Sequence, residues 1–585
     1  MARIGIFIDG MGGSIPATFR EKIVSVIRGL PEIAFSVEEE DLASPGALQR
    51  MAEHLRTGGA DRVVILGGSP KIYETSFRKF GYSFSVNPYL FTVANLREQT
   101  LSAMADEEDA IEKARKILIK AIRMASSSRP IEARSLPLKP EALVIGGGII
   151  GISIALALAH SGIQVYLLEK GKRLGGKALE LRKFYNRPEE VQKWVEEKVS
   201  EVRRNSRITV LSEAELKRVD GHLGRFQAKV RKADGTEMVL AFSAIVVAAG
   251  YEVERNRKGI YGHRSFISFA EMETLLAENE SPSLLRNGKR VESVAFLLDE
   301  VNGDMKVDSI NAVKQGLLLQ EAFQCQVVIL CKDLKVSSDG MERFYRRARE
   351  QGVLFIKYEE LPKLSIVNGQ IQVDVKDTSA IHKEDEWPLS ILSDLIVRSD
   401  AFIPNPETEN LGRILGLHQG NRGFLMEDNP QLLRVRSNRR GIFVAGGCRF
   451  PQEVSETLIE AGAVAQEVIA LLSAGVYTYD LSVAEVDPEK CAVCFTCPRL
   501  CPHSAITVEK YAEKNIYVTP GIGEGVKWGA ARVDPVACYG CGICVGECPA
   551  KAITLRHQPD ELIYAQMGFS ILLGDREIRR LGENK

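Results

Sequence analysis

Three observations predict an α/β protein of several domains: a chain of 585 residues, short β-branched runs alternating with helical stretches, and eight of its eleven cysteines gathered between Cys491 and Cys548. A chain of this length exceeds what one hydrophobic core supports, so three or four domains are expected. Apolar residues make up 45% and charged residues 26%, an ordinary globular balance that argues against long disorder and against a fibrous protein. With 76 Lys+Arg against 77 Asp+Glu, nothing draws the chain toward nucleic acid or an acidic membrane surface. No stretch reaches the roughly 18 uninterrupted apolar residues of a membrane helix, and MARIGIFIDGMGG has too short an apolar run for a signal peptide. A cytoplasmic, non-membrane-spanning protein is expected, in which thiols stay reduced and serve ligation or redox chemistry instead of a disulfide framework.

Residues 1–126 alternate strand-like runs (RIGIFI, DRVVIL) with helical stretches around 46–57 and 106–125, which reads as a small α/β domain. The polar, Pro-containing segment 127–140 is a linker. From Glu141, the run ALVIG, a glycine turn, an apolar helix and QVYLLE form a β-α-β unit, with further strand-to-glycine units at AIVVAAG and GIFVAGG. Between them, 256–385 reads as an inserted α/β module, so the domain divides into 141–255 and 386–473, the chain returning to it through DLIVRSDAFIP. A cysteine-rich domain at 474–557 and a tail at 558–585 complete the chain.

Gly146, Gly148 and Gly151 form G-x-G-x-x-G between a strand and a helix, where a pyrophosphate would meet the free N–H groups of a helix N-terminus. Glu169 closes the next strand, where a carboxylate can hold ribose hydroxyls. Lys170 follows it, and the chain continues into the Gly175-Gly176 turn typical of two-dinucleotide-binding flavoproteins, which favours FAD over NAD. Ala249-Gly250 and Gly446-Gly447-Cys448 are further places where the backbone is expected to pass close to the cofactor, against a plain βα-turn glycine reading. Cys448 is either redox-active there or a small packing residue. Cys325 and Cys331 read as core.

Cys491, Cys494, Cys497 and Cys501, followed by Pro502, reproduce the C-x2-C-x2-C-x3-C-P run of bacterial ferredoxins, and Cys538, Cys541, Cys544 and Cys548 with Pro549 repeat it. In this pattern the fourth thiolate reaches the other cluster, so the expected ligand sets are crossed: Cys491, Cys494, Cys497 and Cys548 for one 4Fe-4S cluster, and Cys538, Cys541, Cys544 and Cys501 for the other. Paired zinc sites are the alternative, but they usually separate two C-x2-C pairs by a dozen or more residues. His503 is a candidate hydrogen-bond donor to a cluster sulfur, with plain surface placement as the alternative. The loop EKYAEKNIYVTPGIGEGVKWG between the two runs is a candidate shield or partner contact.

These residues, in this order, resemble HdrA, the iron-sulfur flavoprotein family of heterodisulfide reductase, over nearly the whole chain. DRVVILGGSPKIYETSFR and NPYLFTVANLREQ are similar to that family's first domain, ALVIGGGIIGISIALALAHSGIQVYLLEK to its FAD fingerprint, NAVKQGLLLQEAF and GMERFYRRAREQGVLFIKY to its inserted module, and GIFVAGGCRFPQEVSETLIEAGAVA to its closing flavin segment. The resemblance implies a Rossmann-like FAD domain with an inserted module, a small N-terminal α/β domain and a ferredoxin domain with two 4Fe-4S clusters. It further implies an oxidoreductase subunit within a homodimer or hetero-oligomer. Its implied partners are heterodisulfide reductase B/C-like, hydrogenase-, formate dehydrogenase- or NADH-linked subunits and ferredoxin, and some members bifurcate electrons. Asp9, Met11 and Gly68, and in the inserted module Leu298, Asp299, Asp308 and Ser309, stand where relatives often carry cysteines, so an additional N-terminal cluster is not expected. Lys314 matches a lysine near the flavin in the family, where a cation would stabilise reduced flavin; a solvated helix lysine is the alternative. Two other functions stay open: a self-contained NAD(P)H:ferredoxin or quinone-type oxidoreductase, and a scaffold with a degenerate flavin site.

Overall fold

The computed structural model describes residues 2–563 apart from 28–29, 72, 74–86, 186–189, 255–257, 280–281, 299–303, 379–387, 400, 511–528 and 561. Asp299 and most of the loop between the two cysteine runs therefore lie outside the described residues. The chain divides into two compact units, Met1–Ser135 with Thr478–Lys585, and Leu136–Tyr477. Among the described residues no helix is long and apolar enough to cross a membrane.

The N-terminal part of the first unit is a four-stranded parallel sheet in the order Ile33–Glu39, Ile4–Asp9, Arg62–Gly67, Phe91–Asn95. Strand Ile4–Asp9 is buried at all six positions because both faces are covered. Ile4, Ile6 and Ile8 pack with helices Ala17–Ile27 and Glu107–Ser127, while Phe7 packs with helix Pro45–Gly58. Both expected helices of this domain form. Pro45–Gly58 starts on Ser44, whose hydroxyl accepts the Ala47 N–H at 3.4 Å, and ends on Gly59 at a φ of 67°. Around Asp9, Met11 and Gly68 the chain has a closed polar knot. Asp9, 2% exposed, accepts from the Met11 N–H (2.8 Å), the Leu42 N–H (3.2 Å) and the Tyr73 hydroxyl (2.6 Å), and the Gly68 N–H donates to the same tyrosine. Burial and the Asp9 carboxylate push the Tyr73 hydroxyl well above its ordinary value, so it remains a donor.

The second unit holds two five-stranded parallel sheets. One runs Ile442–Val444, Ala244–Val247, Glu141–Ile145, Gln164–Leu168, Ile208–Leu211, and carries a three-stranded antiparallel meander, Ala214–Phe242. The other runs Phe266–Ser268, Leu395–Arg398, Ser293–Leu297, Gln326–Cys331, Leu354–Lys357, and has an antiparallel trio of its own. An antiparallel ribbon, Tyr251–Glu254 with Ala401–Pro404, accompanies the chain from the first sheet into the second and back.

One boundary differs from the sequence reading. The apolar pattern assigns DLIVRS to 386–473, after the inserted module, yet Leu395–Arg398 is an inner strand of the second sheet, paired with Phe266–Ser268 on one side and Ser293–Leu297 on the other. The chain returns through Ala401–Pro404 instead. All four residues of this strand are buried, and a short apolar run that suits any parallel sheet does not reveal which sheet it joins.

Candidate functional site: a dinucleotide cleft and two groups of four thiols

Strand Glu141–Ile145 ends at Gly146, at a φ of 108°, where a Cβ would lie 2.2 Å from the Ala248 carbonyl oxygen. Helix Ile149–His160 begins on Gly148 without a side-chain cap, which leaves its first N–H groups for a ligand. A Cβ on Gly148 would meet nothing within 4 Å, whereas one on Gly151 would sit 1.8 Å from the Gly146 carbonyl oxygen. Gly148 thus leaves room, and Gly151 permits helix and turn to touch.

Glu169 fixes this turn from the neighbouring strand. Its Oε2 accepts the Gly147 N–H at 2.7 Å and its Oε1 the Gly171 N–H at 2.6 Å, and each oxygen keeps a lone pair for a hydroxyl. The Gly175 N–H donates to the Gly147 carbonyl at 2.8 Å, which brings the Gly175-Gly176 turn against the first. Together they open on a cleft of about 480 Å³, lined also by Ala249, Gly250, Gly447 and Gln452, by Tyr251 of the ribbon, by Thr457 of helix Val454–Ser473, and by Glu273, Asp308 and Gln315 from the inserted module. A pocket of this size is in the range of cofactor sites. The structure brings together Gly146, Gly148, Glu169, Gly175, Gly176, Ala249, Gly250 and Gly447, with Gly151 packed against the turn and Gly446 beside Gly447.

Besides Gly151 and Gly446, three expected residues lie off the cleft lining. Lys170 is exposed and pairs with Glu407 at 2.7 Å. Cys448 is fully buried, its Sγ 3.1 Å from the Ala445 carbonyl and 3.4 Å from that of Val247, so it is a packing residue at the strand end. Lys314 is not a solvated lysine either: its Nζ lies 2.7 Å from Glu273 Oε1, with side-chain exposures of 10% and 3%. Burial pushes the Glu273 carboxyl up, but the Lys314 charge, the Gln315 amide and the Arg182 N–H outweigh it and hold the group below the ordinary carboxylate range. Ser309 bonds the Met305 carbonyl and the Lys335 N–H; Leu298 is core. Three further residues of the site carry no sequence signal: Asn405, whose Nδ2 donates to the Ala249 carbonyl at 3.2 Å, and the lining residues Gln452 and Thr457.

Burial pushes the thiols of Cys325, Cys331 and Cys448 from 9.0 up to about 11. A group whose folded pKa is raised keeps its full contribution below the unfolded value and loses it as pH rises through the folded value, here between about 9 and 11. The denaturant midpoint of the second unit, followed by flavin fluorescence, is expected to fall from about pH 8 to about pH 10.5, and less steeply in Cys448→Ala. A midpoint equally pH-dependent in that variant would remove Cys448 from the account.

In the first unit the two cysteine runs are built alike. Asp487 Oδ1 accepts the N–H groups of Glu489 and Lys490 at 2.9 and 3.3 Å, and Asp534 Oδ1 those of Val536 and Ala537 at 2.8 and 3.0 Å. Cys491 and Cys538 then bond back to the Asp487 and Asp534 carbonyls. Each run takes positive φ at equivalent positions, Val493, Phe495 and Ser504 in the first, Gly540, Gly542 and Lys551 in the second. Each ends with a backbone N–H on its fourth sulfur, Ala505 to Cys501 and Ala552 to Cys548, both at 3.3 Å. Strand pairs Ala484–Val486 with Ile553–Leu555 and Ile506–Lys510 with Gly529–Val533 tie the runs together.

The fold crosses the thiols. A small cavity is bounded by Cys538, Cys541 and Cys544 of the second run and by Cys501 of the first. Reciprocally, Cys497 lies in the electrostatic field of Cys491, Cys494 and Cys548. N–H groups aimed at sulfur and left-handed turns that curl the chain around each group suit an inorganic cluster with thiolate ligands. His503 stacks on Tyr539 at 4.1 Å between ring centroids, and both rings border that cavity.

Two family models match this chain, pyridine nucleotide-disulphide oxidoreductase over residues 106–266 and 4Fe-4S dicluster domain over 490–552. The A-subunit of H(2):CoB-CoM heterodisulfide,ferredoxin reductase from Methanothermobacter thermautotrophicus is 25% identical, over 88% of this chain and 92% of that protein. The iron-sulfur A-subunit of CoB–CoM heterodisulfide reductase from Methanocaldococcus jannaschii is 26% identical, over 89% and 93%. This chain is a homologue of HdrA, the A-subunit of heterodisulfide reductase. Another such relative, the A-subunit of the ferredoxin/F(420)H(2)-dependent CoB-CoM heterodisulfide reductase of Methanosarcina acetivorans, is 25% identical over 87% of this chain and 75% of its own length. As an HdrA homologue with an FAD-type oxidoreductase domain and a dicluster domain, the chain carries FAD and two 4Fe-4S clusters. Thioredoxin reductase of Lactococcus lactis, a solved structure, covers 57% of this chain and 100% of its own at 19% identity and a TM-score of 0.40, too low to transfer a ligand position to this HdrA homologue.

Proposed function

We propose that this chain is the FAD and iron-sulfur electron-transfer subunit of a heterodisulfide-reductase-like complex, which moves electrons between two 4Fe-4S clusters and a two-electron couple supplied by a partner subunit. The observation that carries the reading is the presence, in one chain, of an open pyrophosphate turn on a cofactor-sized cleft and of two crossed groups of four thiols. Bound FAD supplies the exchange between two-electron and one-electron traffic, and each cluster carries one electron.

The chain's own residues bind and insulate. Gly146, Gly148 and the N-terminus of helix Ile149–His160 receive the pyrophosphate, Glu169 the ribose, and Gly175, Gly176, Ala249, Gly250 and Gly447 line the path. Cys491, Cys494, Cys497 and Cys548 hold one cluster, and Cys538, Cys541, Cys544 and Cys501 the other. Among the described residues, Glu273 is neutralised by Lys314 and Glu252 pairs with the basic lining residue Lys177 at 2.9 Å, while Glu169, Glu180 and Asp308 add further acidic groups to the lining, a field that disfavours a second pyrophosphate beside FAD. This supports a partner-supplied couple over direct use of NAD(P)H. The names of the relatives make ferredoxin and other heterodisulfide reductase subunits the partner classes to test.

Anaerobic purification followed by flavin, iron and sulfide assays on one sample tests the reading. The expected result is one FAD with about eight iron and eight sulfide per chain, and no bleaching of the isolated chain by NADH. Clusters without flavin would sink the electron-transfer role in favour of a scaffold, and rapid NADH bleaching would make the chain a self-contained oxidoreductase.

A further inference from the structure

Behind the cleft wall a ladder of polar side chains converges on Glu460, on helix Val454–Ser473. Its Oε1 accepts the N–H of Gly446 at 2.6 Å, and its Oε2 accepts from Arg449 Nη1 and Gln452 Nε2, both at 2.7 Å. Arg449, 7% exposed, also meets Glu427 at 3.2 Å, so the Glu460 charge is balanced inside the fold. Gln452, also 7% exposed, lines the cleft, and its Oε1 accepts from the Thr457 hydroxyl at 3.3 Å.

These partners fix the Gln452 amide in one orientation, because turning it over would set its oxygen against the Glu460 carboxylate. One N–H of that amide has no partner among the described residues. A buried donor left unpaired is costly, so its presence in a cleft wall marks a place where the occupant supplies an acceptor. The nucleotide end of the cleft already has its contacts at Gly146, Gly148 and Glu169, whereas Gln452 follows Gly447 at the end of another strand.

Resting on the reading that the cleft holds FAD, we propose that Gln452 donates its free N–H to an acceptor atom of the flavin ring, and that Glu460 is a positioning residue that holds Gln452 for this contact. The ring carries acceptor oxygens and nitrogens along its pyrimidine and central portions, so one fixed donor both adds affinity and alters the electronic spectrum. Arg449 balances Glu460 and keeps it in place, which makes the ladder one device.

Full-length Gln452→Leu, Glu460→Gln and the double variant, freed of flavin anaerobically and titrated with FAD, test this. Each single variant is expected to weaken FAD binding about tenfold, to shift the visible flavin bands and the midpoint potential, and to leave iron content unchanged. The double variant is expected to bind no more weakly than Gln452→Leu alone, since Glu460 acts through Gln452. Additive losses would overturn the positioning role and leave Glu460 as a support of the Gly446 turn only. A Gln452→Leu protein with wild-type affinity, bands and potential would overturn the contact itself. If Glu460→Gln does not fold, Thr457→Val takes its place, because it frees the same amide to rotate; its loss should likewise not add to that of Gln452→Leu, and additivity there overturns the ladder. Wild-type chain that takes up no FAD would defeat the underlying reading, a failure distinct from all of these.

Discussion

Cys548→Ser is expected to abolish the cluster held by the first cysteine run and to spare the one held by the second. Iron should fall from about eight to about four per chain, with one cluster signal lost from the reduced protein's electron paramagnetic spectrum. The same signal should vanish in Cys491→Ser, and the other one in Cys501→Ser. The reason lies in the placement of the thiols: Cys501 borders the cavity of Cys538, Cys541 and Cys544, and Cys548 acts together with Cys491 and Cys494 on the Cys497 thiol. A Cys491→Ser, Cys548→Ser double variant should therefore retain as much iron as either single one, and Cys491→Ser with Cys501→Ser should retain almost none. If Cys548→Ser instead removed the signal that Cys538→Ser removes, ligation would be local to each run and the crossed assignment wrong.

Two glycines of one motif, alike in sequence and opposite in effect, provide the second large test. Gly151→Val places a side chain where a Cβ alone would be 1.8 Å from the Gly146 carbonyl, against backbone that cannot yield without parting helix from strand. Destabilisation beyond about 4 kcal/mol is expected, with the second unit unfolded at working temperatures. Gly148→Ala meets nothing within 4 Å and keeps an ordinary φ of −73°, so the flavin-free protein should melt as the wild type does. Its methyl group enters the space assigned to pyrophosphate, and FAD affinity should fall by at least about tenfold. Wild-type FAD affinity in Gly148→Ala would show that the pyrophosphate lies elsewhere.

What the sequence revealed depended on whether the chemistry was local. The glycine turn and both cysteine runs are contiguous motifs whose spacing is their mechanism, and the fold gathers the glycines at one cleft and draws thiols of the two runs together. Side chains that meet across the fold left no such trace. The partner of Lys314 is Glu273 on a different helix, so its sequence neighbourhood suggests a solvated lysine although the pair is buried. Gln452 and Glu460 lie eight residues apart on a loop and a helix, and only the fold shows that they share a hydrogen bond. Strand Leu395–Arg398 is visible in the sequence as a strand but not as a member of the second sheet, because apolar pattern fixes type and burial, not pairing. Cys448 stands beside the cleft-lining Gly447 in sequence, yet its thiol is buried against the Val247 and Ala445 carbonyls.

The division of the chain has a consequence for its folding order. The first unit is assembled from Met1–Ser135 and Thr478–Lys585, and its distant parts do meet, the Tyr89 hydroxyl donating to Asp480 at 3.0 Å and the Leu481 N–H to the Glu132 carbonyl at 2.9 Å. Bringing such remote segments together in an open chain costs loop-closure entropy. The two ends of the second unit, however, are joined by the Leu138 N–H to the Gly475 carbonyl at 2.9 Å. Once that unit has folded, the long intervening segment behaves as a short hairpin, and the N-terminal and cysteine-bearing segments are delivered to each other at little further entropic cost. Folding of the flavin-binding unit thus lowers the closure cost of the unit that bears the thiols, and lesions that unfold it should delay cluster insertion even though they touch no cysteine of the two runs.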